Sequence, residues 1–171
     1  MSVPRIGLLT VGQAPRDDIV SDMIAVLGRD VRFIQSGALD GLSHDETLRL
    51  APRGDEPWVV SRMHDGTEVR LAKRELYPRM QQRIGELEEL GVNLIVPLCA
   101  SDWSGLRCIV PFINPGKALT PIVLAMLRPG GTLGIIAPTQ AQAVRSGTRY
   151  GDTVPVVSTF AQPYANSAEE R

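Results

Sequence analysis

Cys99 is the residue of this sequence whose setting most favours chemistry. It follows the apolar run Asn93–Leu98 and precedes Ser101 and Asp102, residue types that cap helices. A thiol between a buried strand and a helix N-terminus loses its proton readily, because the helix dipole favours thiolate. A thiolate there serves as a nucleophile or as a base toward a carbon-bound proton. The alternative is an inert core thiol, since unpaired cysteines are among the most buried residues. Cys108 heads the apolar run Cys108–Ile113 and reads as that second case.

Arg16 follows the turn Gly12-Gln13-Ala14-Pro15, where a guanidinium reaches a carboxylate or phosphate. A solvated surface arginine is the alternative. His44 and His64 are the only histidines, and His64 falls near an expected hairpin tip, which reads as exposed. There is no HExxH pattern and no ligand cluster, so no metal is expected. Leu127–Leu133 (LRPGGTL) is similar to a late strand of nucleotide-dependent methyltransferases, yet the first turn has no glycine-rich loop. Neither GxGxxG nor GxxxxGK[ST] occurs, so no dinucleotide or nucleoside triphosphate is expected as cofactor.

The elements that position these residues read as an α/β fold with an open, largely parallel sheet. Ile6–Val11 is a continuous apolar run, the signature of a strand buried on both faces. Pro15 suits the first position of a helix, and Asp17 and Asp18 suit its positive end. Ile19, Val20, Met23, Ile24 and Leu27 recur at helical spacing, and Gly28 reads as the stop. Val31–Ile34 is the second strand. Trp58–Val60 and Thr67–Leu71 flank His64-Asp65-Gly66, which predicts an inserted β-hairpin with its tip near Asp65. A helix over Lys73–Leu90 follows, with Leu76, Met80, Ile84 and Leu87 on one face and Gly91 closing it. Pro78 is tolerated if it lies in the first turn. Asn93–Leu98 is the next strand, then a short helix after Asp102, then a strand over Cys108–Ile113. Leu119–Leu127 is helical, Thr132–Ala137 is a strand, Thr139–Val144 starts a helix, and Val154–Thr159 is the last strand. The tail Pro163–Arg171 is polar.

Such sheets bind ligands beyond the carboxyl ends of their strands. Three junctions therefore matter: Thr10–Arg16, Cys99–Asp102 and Pro138–Gln140. The bulk numbers agree with a globular chain. Its 171 residues are 43% hydrophobic and 22% charged, with 18 basic and 19 acidic residues and a net charge of −1. That balance favours neither nucleic acid nor an anionic membrane. No stretch approaches the roughly 20 apolar residues of a membrane span, and two cysteines make no disulfide framework. A cytoplasmic location is the default expectation.

Ile6–Arg16 (IGLLTVGQAPR), Gly91–Leu98 (GVNLIVPL) and Leu133–Pro138 (LGIIAP) together resemble the AroM family, over most of the chain to about Val157. That resemblance implies membership of the aspartate/glutamate racemase superfamily. It implies two similar α/β lobes, here 1–118 and a partial 119–171, with the site in the cleft between them. Superfamily enzymes need no cofactor and often use a cysteine from each lobe as acid and base. Cys99 matches the first-lobe position. Thr10 and Gln13 fall in the first-lobe loop, and Thr139, with Gln140 beside it, matches a ligand-binding position of the second lobe. The second-lobe cysteine has no counterpart; Cys108 sits at the wrong end of its strand. The resemblance thus implies either a truncated chain or a protein lacking the second acid/base group.

The expected function is that of a cofactor-independent racemase, isomerase or decarboxylase acting on a small carboxylate. Cys99 would move the proton, or attack in an isomerase-like variant, and the backbone N–H groups of Ala100 and Ser101 would hold the substrate oxygens. The alternative is a non-catalytic protein that binds a small anion in the same cleft. Few strands follow Thr120, so Leu124, Leu127, Ile135 and Val156 would lack cover. That predicts a homo-oligomer or a sticky monomer.

Overall fold

A computed structural model describes residues 3–27 and 30–161. The expected stop at Gly28 and the polar tail 163–171 lie outside the described residues. The chain divides after Ala118 into two compact units.

In the first unit the apolar run forms β1 (Arg5–Thr10). The chain leaves it through α1 (Asp17–Leu27) to β2 (Arg32–Gly37), which pairs parallel with β1. It then passes through a short helix, α2 (His44–Leu48), and an antiparallel hairpin, β3 (Trp58–Arg62) and β4 (Glu68–Ala72). Helix α3 (Lys73–Glu89) returns it to β5 (Leu94–Pro97), on the other side of β1. The sheet order is β2-β1-β5, so the α/β expectation with an open parallel sheet is met. The inserted hairpin is present, and its turn is closed by a bond from the Gly66 N–H to the Met63 carbonyl, 3.0 Å. Gly91 ends α3 with φ of 71°, as a helix-terminating glycine does.

Alternation along β1 sends Leu8 and Leu9 to opposite faces. Leu9 joins a core built on Leu76, Met80, Ile84 and Leu87 of α3, Val59 and Leu71 of the hairpin, and Ile95 and Trp103. The α3 face was legible as a stripe at helical spacing. Pro78 is a correction. It lies in the sixth position of α3, past the first turn, where its missing N–H removes one helix bond. Its ring is exposed, and the buried face holds the helix together around it.

Four further readings are corrected. Pro15 stands before α1, not in its first position, because the Arg16 carbonyl is the first to accept helical bonds, from Ile19 and Val20. Of the α1 stripe only Val20 is buried. The short helix expected after Asp102 is absent; the Asp102 carboxylate closes a turn instead. The segment 108–113 is not a strand. It makes one isolated bridge, Ile95 to Phe112, because Pro111 has no N–H to extend a ladder. Helix α2 was missed, although Ser43 and Glu46 form a reciprocal capping box that the sequence displays as S-x-x-E.

The second unit contains most of α4 (Pro115–Met126), then β6 (Leu133–Ala137), α5 (Gln140–Gly151) and β7 (Val156–Phe160). Strands β6 and β7 pair parallel. Leu124, Leu127, Ile135 and Val156, expected to lack cover, are half-buried. Helix α5 packs on the face that carries Ile135 and Ser158, where Gly147 approaches Ser158. The opposite face carries Ile136 and Val157, 74% and 66% accessible.

Candidate functional site

The chain crosses from one side of β1 to the other between β2 and β5, so the switch point lies at the carboxyl ends of β1 and β5. Ligands settle at such points, because the loops diverge there and leave a crevice. Thr10 to Gly12 and Leu98 to Cys99 border it, tied by a bond from the Leu98 N–H to the Leu9 carbonyl, 2.8 Å.

Cys99 is half-buried and packs against the core on the α3 side of the sheet. Ala100 is exposed and Ser101 half-buried; their backbone N–H groups meet no acceptor among the described residues. The helix behind them was expected to begin at Asp102 but does not. Helix α4 lies there instead. A Cβ on its Gly116 would come within 2.5 Å of the Ser101 carbonyl oxygen, so only glycine admits this approach.

Asp102 organises the loop. Its Oδ1 accepts from the Ser104 N–H at 2.9 Å, from the Ser104 hydroxyl, and from Asn114 Nδ2 at 2.8 Å. The Ser104 and Asn114 bonds lower its carboxyl to about 2. That stabilisation is present above the ordinary carboxylate range and is lost as pH falls through about 2. Lys73 donates to the Asp102 carbonyl, 2.8 Å, and stands 4.5 Å from the centre of the Trp103 ring. Cys108 fits the structural reading: burial, with the Glu88 carboxylate second, pushes its thiol up to about 11.

The loop after β1 is held from two sides, by β2 with the loop that follows it, which α3 braces in turn, and by the hairpin. Thr10 is 2% exposed, and its hydroxyl accepts from the Gly12 N–H at 3.2 Å. Asp40, beyond β2, accepts from Ala14 N at 2.8 Å and Gly37 N at 2.7 Å. Gln35 accepts from Arg16 N at 2.6 Å. From α3, Arg79 donates to the Ala38 carbonyl at 2.6 Å, and Arg83 donates to the carbonyls of Gly37 and Asp40 at 3.0 and 2.7 Å. The Arg16 guanidinium is paired with Asp18 at 2.7 Å.

The hairpin supplies the second side. A Cβ on Gly12 would stand 2.2 Å from Ser61 Oγ and 2.9 Å from the Arg62 carbonyl oxygen. Gln13 Oε1 accepts from the His64 N–H at 2.8 Å, and His64 Nε2 donates to the Ala14 carbonyl at 2.7 Å. His64 is exposed, as expected of a hairpin tip, but it is anchored to the β1 loop rather than projecting away from it.

Thr10, Gln13, Arg16, Cys99, Ala100 and Ser101 thus share one edge of the first sheet. Thr139 and Gln140 belong to the second unit, where Thr139 caps α5 by accepting from the Gln142 N–H at 3.3 Å. Asp40, Gln35 and His64 were not singled out as ligand-side residues. Their bonds to the β1 loop span 19 to 51 residues of sequence, and the only local signal was the His64-Asp65-Gly66 turn. No group of three or more His, Cys, Asp or Glu is placed to hold a metal among the described residues. No described helix is long and apolar enough to cross a membrane.

No curated protein matches the chain. The family model described as AroM protein matches residues 6–171. With that match covering essentially its whole length, the chain belongs to the AroM family.

Proposed function

We propose that this protein is a cofactor-independent enzyme acting on a small carboxylate, of the racemase, isomerase or decarboxylase type, with Cys99 as its acid/base group. The observation that carries the proposal is the position of Cys99 at the β1/β5 switch point, two residues after β5 and beside the Ala100 and Ser101 N–H groups. For proton transfer, the Cα–H bond breaks and its electron pair delocalises into the carboxylate as an enediolate. The proton passes to the Cys99 sulfur, and the two N–H groups hold the oxygens on which charge grows. Family membership supports this through the superfamily the AroM sequences resemble. In the same reading the lobes are 1–118 and 119–171, the protein is cytoplasmic, and the ligand's carboxylate also meets Gln13.

A second reading, a small-anion-binding protein without turnover, has its own support. The helix expected to activate Cys99 is absent, while the Ala100 and Ser101 N–H groups meet no acceptor among the described residues. One experiment separates the two. Both enantiomers of aspartate, glutamate and malate are incubated with the protein in D₂O, and Cα deuteration is followed by proton NMR. Exchange is expected with at least one, and Cys99→Ala should slow it by roughly 10³-fold or more at unchanged circular dichroism. Full activity in Cys99→Ala would refute the catalytic reading. Calorimetric binding without exchange in the unmodified protein would establish the second.

We further propose self-association, since Ile136 and Val157 present apolar surface on one face of the β6–β7 sheet. Sedimentation at low micromolar concentration should show a species larger than the monomer; a stable monomer would refute it.

A further inference from the structure

We infer that a second copy of this chain docks on the outer face of α1 through its own α5. This surface is separate from the β6–β7 face proposed above, and it does not depend on the Cys99 reading.

The starting observation is a helix face with nothing packed on it. Val20 is the one buried residue of α1 among the described ones. On its outer side Asp18, Ile19, Asp22, Met23, Val26 and Leu27 line a groove of about 600 Å³. Val26 stands 85% accessible in it. Apolar rows along a helix are what a second helix packs into, ridges against grooves. The rim of this groove is acidic, since α1 carries three aspartates and no basic residue. That sign repels an anionic membrane or nucleic acid and calls for an amphipathic helix with bases beside its apolar residues.

Helix α5 has that composition. It carries Arg145 and Arg149 and no acidic residue. Its exposed stripe is Ala141, Val144, Arg145, Thr148 and Arg149. Each arginine also engages a neighbour in its own chain, but the five N–H donors of a guanidinium serve more than one partner. The other described helices fit less well. Helix α2 is acidic, α3 carries both signs, and α4 offers a single base, Lys117, in its first turn.

Spacing makes the match specific. Asp18, Asp22 and Val26 form a row of residues four apart on α1. Ala141, Arg145 and Arg149 form a row of the same spacing on α5. The acids lie toward the start of α1 and the bases toward the end of α5. Antiparallel packing therefore sets Asp18 against Arg149, Asp22 against Arg145 and Val26 against Ala141 in a single register. It also opposes the two helix dipoles. Asp18 already holds Arg16, whereas Asp22 makes no ion pair among the described residues, so Asp22 with Arg145 is the central pair.

The test is charge exchange between copies of the full chain. Tagged and untagged proteins are mixed at high micromolar concentration, because a contact of this size is small for a stable dimer, and recovered on the tag. Circular dichroism checks each fold. Asp22→Lys should recover Asp22→Lys roughly tenfold less well than the unmodified protein recovers itself, and Arg145→Glu should recover Arg145→Glu as poorly. Tagged Asp22→Lys should recover untagged Arg145→Glu at the unmodified level, because the central pair is restored with its signs exchanged. Val26→Asp and Val144→Asp lie at positions 85% and 67% accessible, where folding is not at stake, and each should also lose recovery. Equal recovery in every pairing would overturn the inference and leave association through the β6–β7 face standing. A loss in Asp22→Lys that Arg145→Glu does not restore would assign the groove to another occupant and overturn it too. No recovery by the unmodified protein would overturn both proposals of association.

Discussion

Gly37→Ala should destabilise the first unit by about 3 kcal/mol, the upper end of what overpacking costs. A Cβ there would stand 2.5 Å from the Gly12 carbonyl oxygen, 2.6 Å from Ala14 N and 2.6 Å from Asp40 Oδ1. Two of those atoms are backbone, and the third is a carboxylate already holding two N–H groups. None is the loose end of a side chain that could swing aside. To admit the methyl, the loops after β1 and β2 must part, and the bonds that join them go with the movement. The variant should therefore lose roughly 10 °C in unfolding midpoint. It should also release the β1 loop, so the His64 amide exchanges hydrogen faster. Gly85→Ala is the matched control. Gly85 lies within α3, and a Cβ there meets nothing within 4 Å. Alanine should stabilise that helix by about 1 kcal/mol. The same chemical change thus has opposite signs at the two positions. A Gly37→Ala protein as stable as the parent would show that the two loops are not in the contact described.

Trp103→Ala should cost about 3–5 kcal/mol, the usual range for truncating a buried tryptophan. Trp103 is wholly buried, sits edge-on to Tyr77 with ring centres 5.5 Å apart, and lies under the Lys73 ammonium. It is also the apolar anchor of the segment between β5 and α4, which has no regular structure to hold it. Losing the ring opens a cavity and unfastens the loop that carries Cys99. Trp103→Phe should cost far less, about 1 kcal/mol. The indole N–H has no acceptor among the described residues, so phenylalanine removes a buried, unsatisfied donor while keeping most of the packing. Urea unfolding followed by circular dichroism gives both values. If the alanine variant lost less than the phenylalanine variant, Trp103 would not be the anchor of this segment.

Much of the architecture was legible because periodicity is local. The apolar run of β1 is continuous because a central parallel strand is buried on both faces. Leu76, Met80, Ile84 and Leu87 recur at helical spacing because one stripe of α3 meets the core. Asp65-Gly66 marked the hairpin because few dipeptides take that turn. These features depend on neighbours within a turn or a strand; the family resemblance carried by Ile6–Arg16, Gly91–Leu98 and Leu133–Pro138 is borne out by the AroM match.

The sequence by itself therefore determined the α/β fold, the parallel sheet, the inserted hairpin and the family. Only the tertiary structure decided what surrounds Cys99. Ser101 and Asp102 have the right types to cap a helix, yet Asp102 bonds Ser104 and Asn114 instead, and α4 occupies the space nearby. Cys108–Ile113 is apolar enough for a strand, yet Pro111 limits it to a single bridge. His64 looked like an exposed turn residue until the hairpin folded back on Gly12. Pro111 stands within the run itself, but for Asp102 and His64 a deciding partner lies 12 and 51 residues away in the chain. Hydrogen bonds and close packing between such distant residues leave no period in the sequence, so they appear only when the loops are brought together.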